Sequence, residues 1–214
     1  MIFVIPNMSR RTLLSVVPAA LSVPLLLSSV AMAQSVPSLS KRSGNYWPGR
    51  ISTNGWPIID SPPSVAVEGS SHEIRVAEGM PAALLTYVAR RYHYEIHELE
   101  AGDLVSHTAD RMISDSFESN YLSGTAISIR AKQHPVGAQD TYFVRELRVI
   151  EDILRELDGA VVWGGHFTNP APAHFEIAQS PASRTVEKAA IDAAAKTSPW
   201  KAGNIGQPTL PTGN

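Results

Sequence analysis

The chain contains no cysteine. That absence excludes disulfides, thiolate zinc sites, a cysteine nucleophile and lipidation at a lipoprotein-type cysteine. Any metal would have to be held by histidine and oxygen ligands. Charge excess of either sign is also missing: the formal net charge is −2 over 214 residues, far from the strongly basic balance of nucleic-acid binders. No internal repeat is present. What the chain does have is 43% hydrophobic residues, enough for one domain with a single sizeable core.

Arg10 and Arg11 precede an apolar run over residues 13–30, which Ala31-Met-Ala33 closes. A positive start, an apolar middle and a small-residue cleavage site define a secretory signal, so residues 1–33 are expected to be a cleaved signal peptide. The alternative is a membrane-spanning anchor; Pro18, Pro24 and several serines interrupt the run and count against it. Ser9-Arg-Arg-Thr-Leu-Leu14 resembles a twin-arginine signal, although paired arginines also occur in Sec signals. Cleavage would leave 16 basic and 20 acidic side chains, a formal charge of −4. The expected product is exported to the periplasm, the extracellular space or the cell surface, with no stable membrane span after cleavage.

Residues 34–64 are rich in Ser, Pro, Gly and Asn and show no periodicity, so they are expected to be a linker that docks through Tyr46, Trp47 and Trp56. Asn54-Gly55 before Trp56-Pro57 marks a turn, and Ile58-Ile59 and Val65–Val67 are candidate edge strands. Residues 80–91 predict a helix with Pro81 in its first turn and Leu84, Leu85, Val88 and Ala89 on one face. Tyr92, Tyr94 and Ile96 then alternate with His93, Glu95 and His97, which predicts a strand. On a strand, His93 and His97 lie two steps apart on a solvated face, a poor metal pair. Residues 126–129, 161–163 and 173–178 are expected strands. Residues 141–157 are the strongest helical pattern, with Phe143, Leu147, Ile150, Leu154 and Leu157 at helical spacing. Asp140 or Thr141 is placed to cap that helix and Gly159 to end it. Residues 187–196 predict a short surface helix within a C-terminal segment of residues 181–214, and residues from 199 onward a disordered tail. The fold class is α+β, with the principal domain over residues 65–180.

Two spaced patterns carry the chemistry. Ser119, Gly124 and Ala126 stand in one, and Trp163, Gly164, Gly165, His174, Phe175 and Glu176 in the other. Together, over roughly residues 51–178, they resemble the zinc-dependent D-alanyl-D-alanine carboxypeptidase and L-alanyl-D-glutamate endopeptidase family, whose members trim bacterial wall peptides. Asn54-Gly-Trp-Pro57 and residues 89–95 extend the likeness. The resemblance implies a hedgehog/DD-peptidase-like fold, a small antiparallel sheet flanked by helices.

The family's first motif runs Ser-x-His-x-x-Gly-x-Ala-x-Asp, in which His and Asp bind zinc. Tyr121 stands at the histidine place and Ser128 at the aspartate place. In the second motif His174 keeps the third ligand, His166 replaces an aspartate after Trp163-Gly-Gly, and Ala171 sits where the general base belongs. The resemblance assigns Arg111 to a substrate carboxylate or a developing oxyanion, a job suited to an arginine fork; a plain surface arginine is the alternative. Ser119, Tyr121, Trp163 and Glu176 are the expected cleft residues.

A phenol titrating near 10 is a poor zinc ligand beside imidazole, and a serine hydroxyl brings no charge. Catalytic zinc needs about three protein ligands and an open water position. Loss of the base alone costs ~10²–10⁴-fold in rate. The residues that shape backbone are retained and those that do chemistry are lost.

The leading expectation is therefore a catalytically inactive, exported wall-peptidase relative that binds peptidoglycan stem peptides and needs no cofactor. One alternative is an active zinc peptidase with a relocated site drawing on His166, His174, Glu176 and His134. Another is a structural or partner-binding exported domain whose cleft Tyr121 closes. Nucleic acid is not an expected partner.

Overall fold

The computed structural model describes residues 44–201. The expected signal peptide lies outside the described residues, and so does the tail expected from residue 199 except for residues 199–201, which are not disordered but continue the last helix. Over the described residues the fold is α+β: four α-helices, one four-stranded antiparallel sheet and two antiparallel two-stranded ribbons.

The ribbons come first. Strand β1 (Asn45–Tyr46) pairs with β5 (Met112–Ile113), and β2 (Ser64–Ala66) pairs with β3 (Glu73–Arg75). Residues 44–64 lie against the rest of the domain through specific bonds. The Trp56 ring is buried with its indole N–H on the Gln179 carbonyl at 2.8 Å, whereas Tyr46 is exposed. Asn54 donates to Thr125 Oγ1 and to the Ile177 carbonyl. Ile58-Ile59 forms no strand; a single bridge joins Ile51 to Pro57 instead.

Helix α1 (Met80–Glu95) begins after Gly79 with Pro81 in its first turn. It runs past residue 91, so the strand expected from Tyr92 does not form. The reason is packing. Tyr92 falls one turn beyond Val88 and two beyond Leu85, on the same stripe, and all three are wholly buried. Burial of that ring outweighs the local preference of Tyr-x-Tyr-x-Ile for extended chain. His93 therefore sits in the last helical turn and accepts the Leu99 N–H at 2.9 Å, while His97, beyond the helix end, turns its Nδ1 to the Glu98 carbonyl.

The main sheet orders β4 (Leu104–Val105), β6 (Ala126–Ile129), β8 (His174–Ile177) and β7 (Val161–Trp163). Its register sorts the side chains into two faces. Ile127 opposes Phe175, and Trp163 and Val161 oppose Phe175 and Ile177, on the face that packs into the core. Ser128 opposes His174 and Ala126 opposes Glu176 on the other face. The central pair of strands thus aims its polar residues to one side.

Helix α3 spans Val144–Glu156 and starts later than its pattern predicts. Asp140 adopts φ 54° and breaks the helical path. Thr141 bonds to His134 rather than capping, and the Glu146 carboxylate accepts the Phe143 N–H at 2.8 Å. Phe143, expected on the buried face, is consequently 70% exposed. Ile150, Ile153 and Leu157 do face the core, and Gly159 with φ 77° follows the helix end.

Helix α4 (Arg184–Lys201) is longer than expected and is not a surface helix. Val186, Ala189, Ala190 and Ala193 form a buried stripe packed on α1, where small side chains permit close approach. Arg91 of α1 ties the helices together. It reaches Asp152 at 3.1 Å and Glu156 at 2.6 Å on α3, and Glu95 on its own helix, while Lys196 of α4 meets Glu156 at 3.0 Å.

Candidate functional site

A short helix α2 (Ser119–Leu122) leads into the turn before β6. Gly124 makes that turn possible: its φ is +65°, and a Cβ there would stand 2.7 Å from the Ala77 nitrogen. Opposite, the Gly164 carbonyl accepts the Ala171 N–H at 2.9 Å, and a Cβ on Gly164 would come within 2.4 Å of the Ala171 carbonyl oxygen. Two glycines thus set the approach of α2 and of the Ala171 loop to the polar face of the sheet.

On that face four side chains form one chain of hydrogen bonds. Asn120 Nδ2 donates to Glu176 Oε2 at 2.7 Å, and His174 Nε2 meets the same oxygen at 2.7 Å. His174 Nδ1 lies 2.7 Å from the Tyr121 hydroxyl. The carboxylate accepts, so Nε2 carries the proton. In the neutral ring Nδ1 is then the acceptor and Tyr121 the donor. Phe117 and Phe167 flank the imidazole at centroid distances of 4.6 and 5.8 Å. Burial raises the Tyr121 phenol above its ordinary pKa; a hydrogen bond with Ser128 opposes the rise, and the Glu118 and Glu176 carboxylates add to it.

Tyr121, Ser128, Ala171 and His174 line one cleft of about 390 Å³, together with His134, Glu118 and others. The ring of His134 stacks on Tyr142 at 3.8 Å and its Nδ1 meets Thr141 Oγ1. Burial, helped by the Arg130 guanidinium, lowers its pKa to about 4, so it is neutral near pH 7.

The other expected site residues lie elsewhere. Arg111 donates to the carbonyls of Gly49 at 2.9 Å and Trp47 at 3.3 Å and does not line the cleft. His166 is exposed, pairs with Glu151 at 2.8 Å and lines a separate depression with Trp163. Trp163 is buried, its indole N–H held by the Pro172 carbonyl. Ser119 is fully buried and linked to Thr53 and to the Ser116 carbonyl. Glu176 contacts His174 directly. Sequence reasoning missed Asn120, Phe117 and Glu118. Asn120 stands between two positions of the first motif, but nothing in its spacing signals a bond to a residue 56 positions away.

The donor set does not fit zinc. Both ring nitrogens of His174 are engaged, by Glu176 and by the Tyr121 hydroxyl, Tyr121 is held in its protonated form, and Ser128 contributes no charge. Among the described residues, no group of three or more histidine or carboxylate side chains is arranged to share a metal ion. No family model, curated protein or solved structure matches this chain.

Proposed function

We propose that this chain is an exported, non-catalytic relative of the zinc D-alanyl-D-alanine carboxypeptidases and L-alanyl-D-glutamate endopeptidases, with a hedgehog/DD-peptidase-like fold. Its cleft holds bacterial wall peptides without cutting them. One observation carries the reading. The positions that the resemblance assigns to two zinc ligands and to the base, Tyr121, Ser128 and Ala171, line the same cleft as His174, the position of the remaining ligand. They come from α2, from β6, from the loop before β8 and from β8 itself, so chance spacing would not be expected to bring them together.

What occupies the place of a metal in this reading is the Asn120–Glu176–His174–Tyr121 chain of bonds. It satisfies the buried imidazole with a proton instead of a cation. The relocated metal site draws less support, because His166 is committed to Glu151 away from the cleft. A domain closed by Tyr121 also draws less support, because Tyr121 is one lining residue of a cleft that keeps about 390 Å³.

The test restores the chemistry. Tyr121→His, Ser128→Asp and Ala171→Asp combined are expected to yield stoichiometric zinc by metal analysis and chelator-sensitive cleavage of muropeptides. The native mature chain is expected to release no D-alanine and no cross-link fragment. Chelator-sensitive turnover by the native chain would overturn the reading.

A further inference from the structure

The turn that opens Asn54-Gly-Trp-Pro57 reaches the hydrogen-bond chain of the cleft from behind. Residues 52–55 close on themselves, with the Gly55 N–H on the Ser52 carbonyl at 2.9 Å and the Ser52 hydroxyl on Asn54 Oδ1 at 2.6 Å. Asn54 Nδ2 anchors the turn to Thr125 Oγ1 and to the Ile177 carbonyl. Thr53 ties it to α2, donating its N–H to Ser119 Oγ at 2.9 Å and its hydroxyl to the Ser116 carbonyl at 2.7 Å. A helix of four residues has no stability of its own. The turn therefore helps to hold α2, and with it Tyr121, against the sheet.

One further bond fixes a direction. The Asn54 backbone N–H lies 3.2 Å from Asn120 Oδ1. A backbone N–H can only donate, so the Asn120 amide turns its oxygen to Asn54 and its nitrogen to Glu176. Asn120 is wholly buried, and neither it nor Glu176 lines the cleft. From there the chain runs one way. Asn120 Nδ2 and His174 Nε2 donate to Glu176 Oε2, and the Tyr121 hydroxyl donates to His174 Nδ1. Ser128 bonds to the phenol and lowers its pKa, as a donor to the phenol oxygen does.

We propose that the turn at residues 52–55 is a strap that sets, through Asn120, the direction of hydrogen bonding in the cleft. Asn54 and Asn120 are positioning residues: they lie outside the cleft and decide what its wall offers a ligand. With the chain running this way, Ser128 gives its proton to the bond with Tyr121 and keeps its lone pairs for the cavity it lines. At that point the wall suits a ligand N–H and disfavours a carbonyl oxygen. The direction of the chain goes beyond the wall-peptide reading and does not rest on it.

The His174 tautomer reads the direction, by heteronuclear NMR of the imidazole nitrogens in the mature chain at about pH 8, above the ordinary imidazole range. Glu176→Gln replaces a carboxylate that only accepts with an amide that can face His174 by either atom. Asn120 should hold the oxygen of that amide toward itself, so His174 keeps its proton on Nε2 by about tenfold or more, as one buried hydrogen bond supplies. Adding Asn120→Asp, which still accepts the Asn54 N–H, presents the amide at 176 with an acceptor. The amide should turn over and the His174 proton move to Nδ1. Adding Asn54→Ala to Glu176→Gln instead loosens the strap, and both tautomers are expected.

A reversed or mixed ring in Glu176→Gln alone, or an unreversed ring after Asn120→Asp is added, would overturn the proposal. A single retained tautomer with Asn54→Ala would also overturn it, since the strap would then be idle. Asn120→Asp and Glu176→Gln keep the shapes of their side chains, so reversal in that pair reports direction and not a loosened fold.

Discussion

At the scale of single residues, the cleft is a set of polar groups that satisfy one another. Tyr121 is the least dispensable of them, because among the described residues it supplies the partner of His174 Nδ1. Tyr121→Phe should cost about 1–3 kcal/mol, the penalty for leaving a buried polar atom unpaired. Urea denaturation would read it as a lower midpoint with an unchanged slope. Gly124→Ala should cost a similar ~1–3 kcal/mol, since a side chain at that positive φ is strained and would meet the Ala77 nitrogen.

His134 gives a pH signature. Its folded-state pKa is about 4, below the ordinary 6.5. The unfolded chain therefore binds more protons at this residue between those two values, and the stability it contributes is present above pH 6.5 and lost as pH falls toward 4. His107 is shifted in the same direction, chiefly by burial. Thermal melts of the native chain should fall across that window. His134→Phe, which keeps a ring against Tyr142 and removes the proton, should flatten part of the fall.

Elements show where pattern and packing part company. The polar and apolar phases of β6, β7 and β8 are legible in the residues themselves, because period-2 alternation directly reports a two-faced sheet. The end of α1 is not. Tyr92-His-Tyr-Glu-Ile96 alternates like a strand, and only the core that receives Tyr92 makes it helical. The same holds at α3, where Phe143 fits the helical period yet lies exposed because the chain enters the helix through a left-handed Asp140.

Helix α4 exceeds its expected length and burial for a related reason. Alanines look neutral in sequence, and their burial depends on a partner helix more than 90 residues away. The Arg91 clasp holds α1 and α3 together, and Glu156 in turn holds Lys196 of α4. Arg91→Ala should cost about 1–3 kcal/mol, the range for removing charged hydrogen bonds and leaving acids uncompensated. The loss should shrink in high salt, measured by denaturation at two ionic strengths.

For the whole molecule, composition already bounds the possibilities. A cysteine-free chain of low net charge with one core's worth of apolar residues excludes whole classes of site. The spacing of Ser119, Gly124 and Ala126 against Trp163, Gly164, Gly165 and His174 then points to one region. Local patterns of this kind are readable because they depend on neighbours within a few residues: turn glycines, alternation, helical stripes and the identity of side chains at motif positions.

The tertiary structure alone decided which of those side chains share a space and what each one bonds to. It placed Tyr121 against His174 and withdrew Arg111 to the Trp47 loop. It set His166 on Glu151 and the Asn54 N–H on Asn120. Hydrogen-bond partners lying 50 to 60 positions apart, as His174 and Asn120 find theirs, are fixed by the path of the folded backbone. No local pattern encodes that path, because the free energy of each pair exists only once the core has brought the strands together.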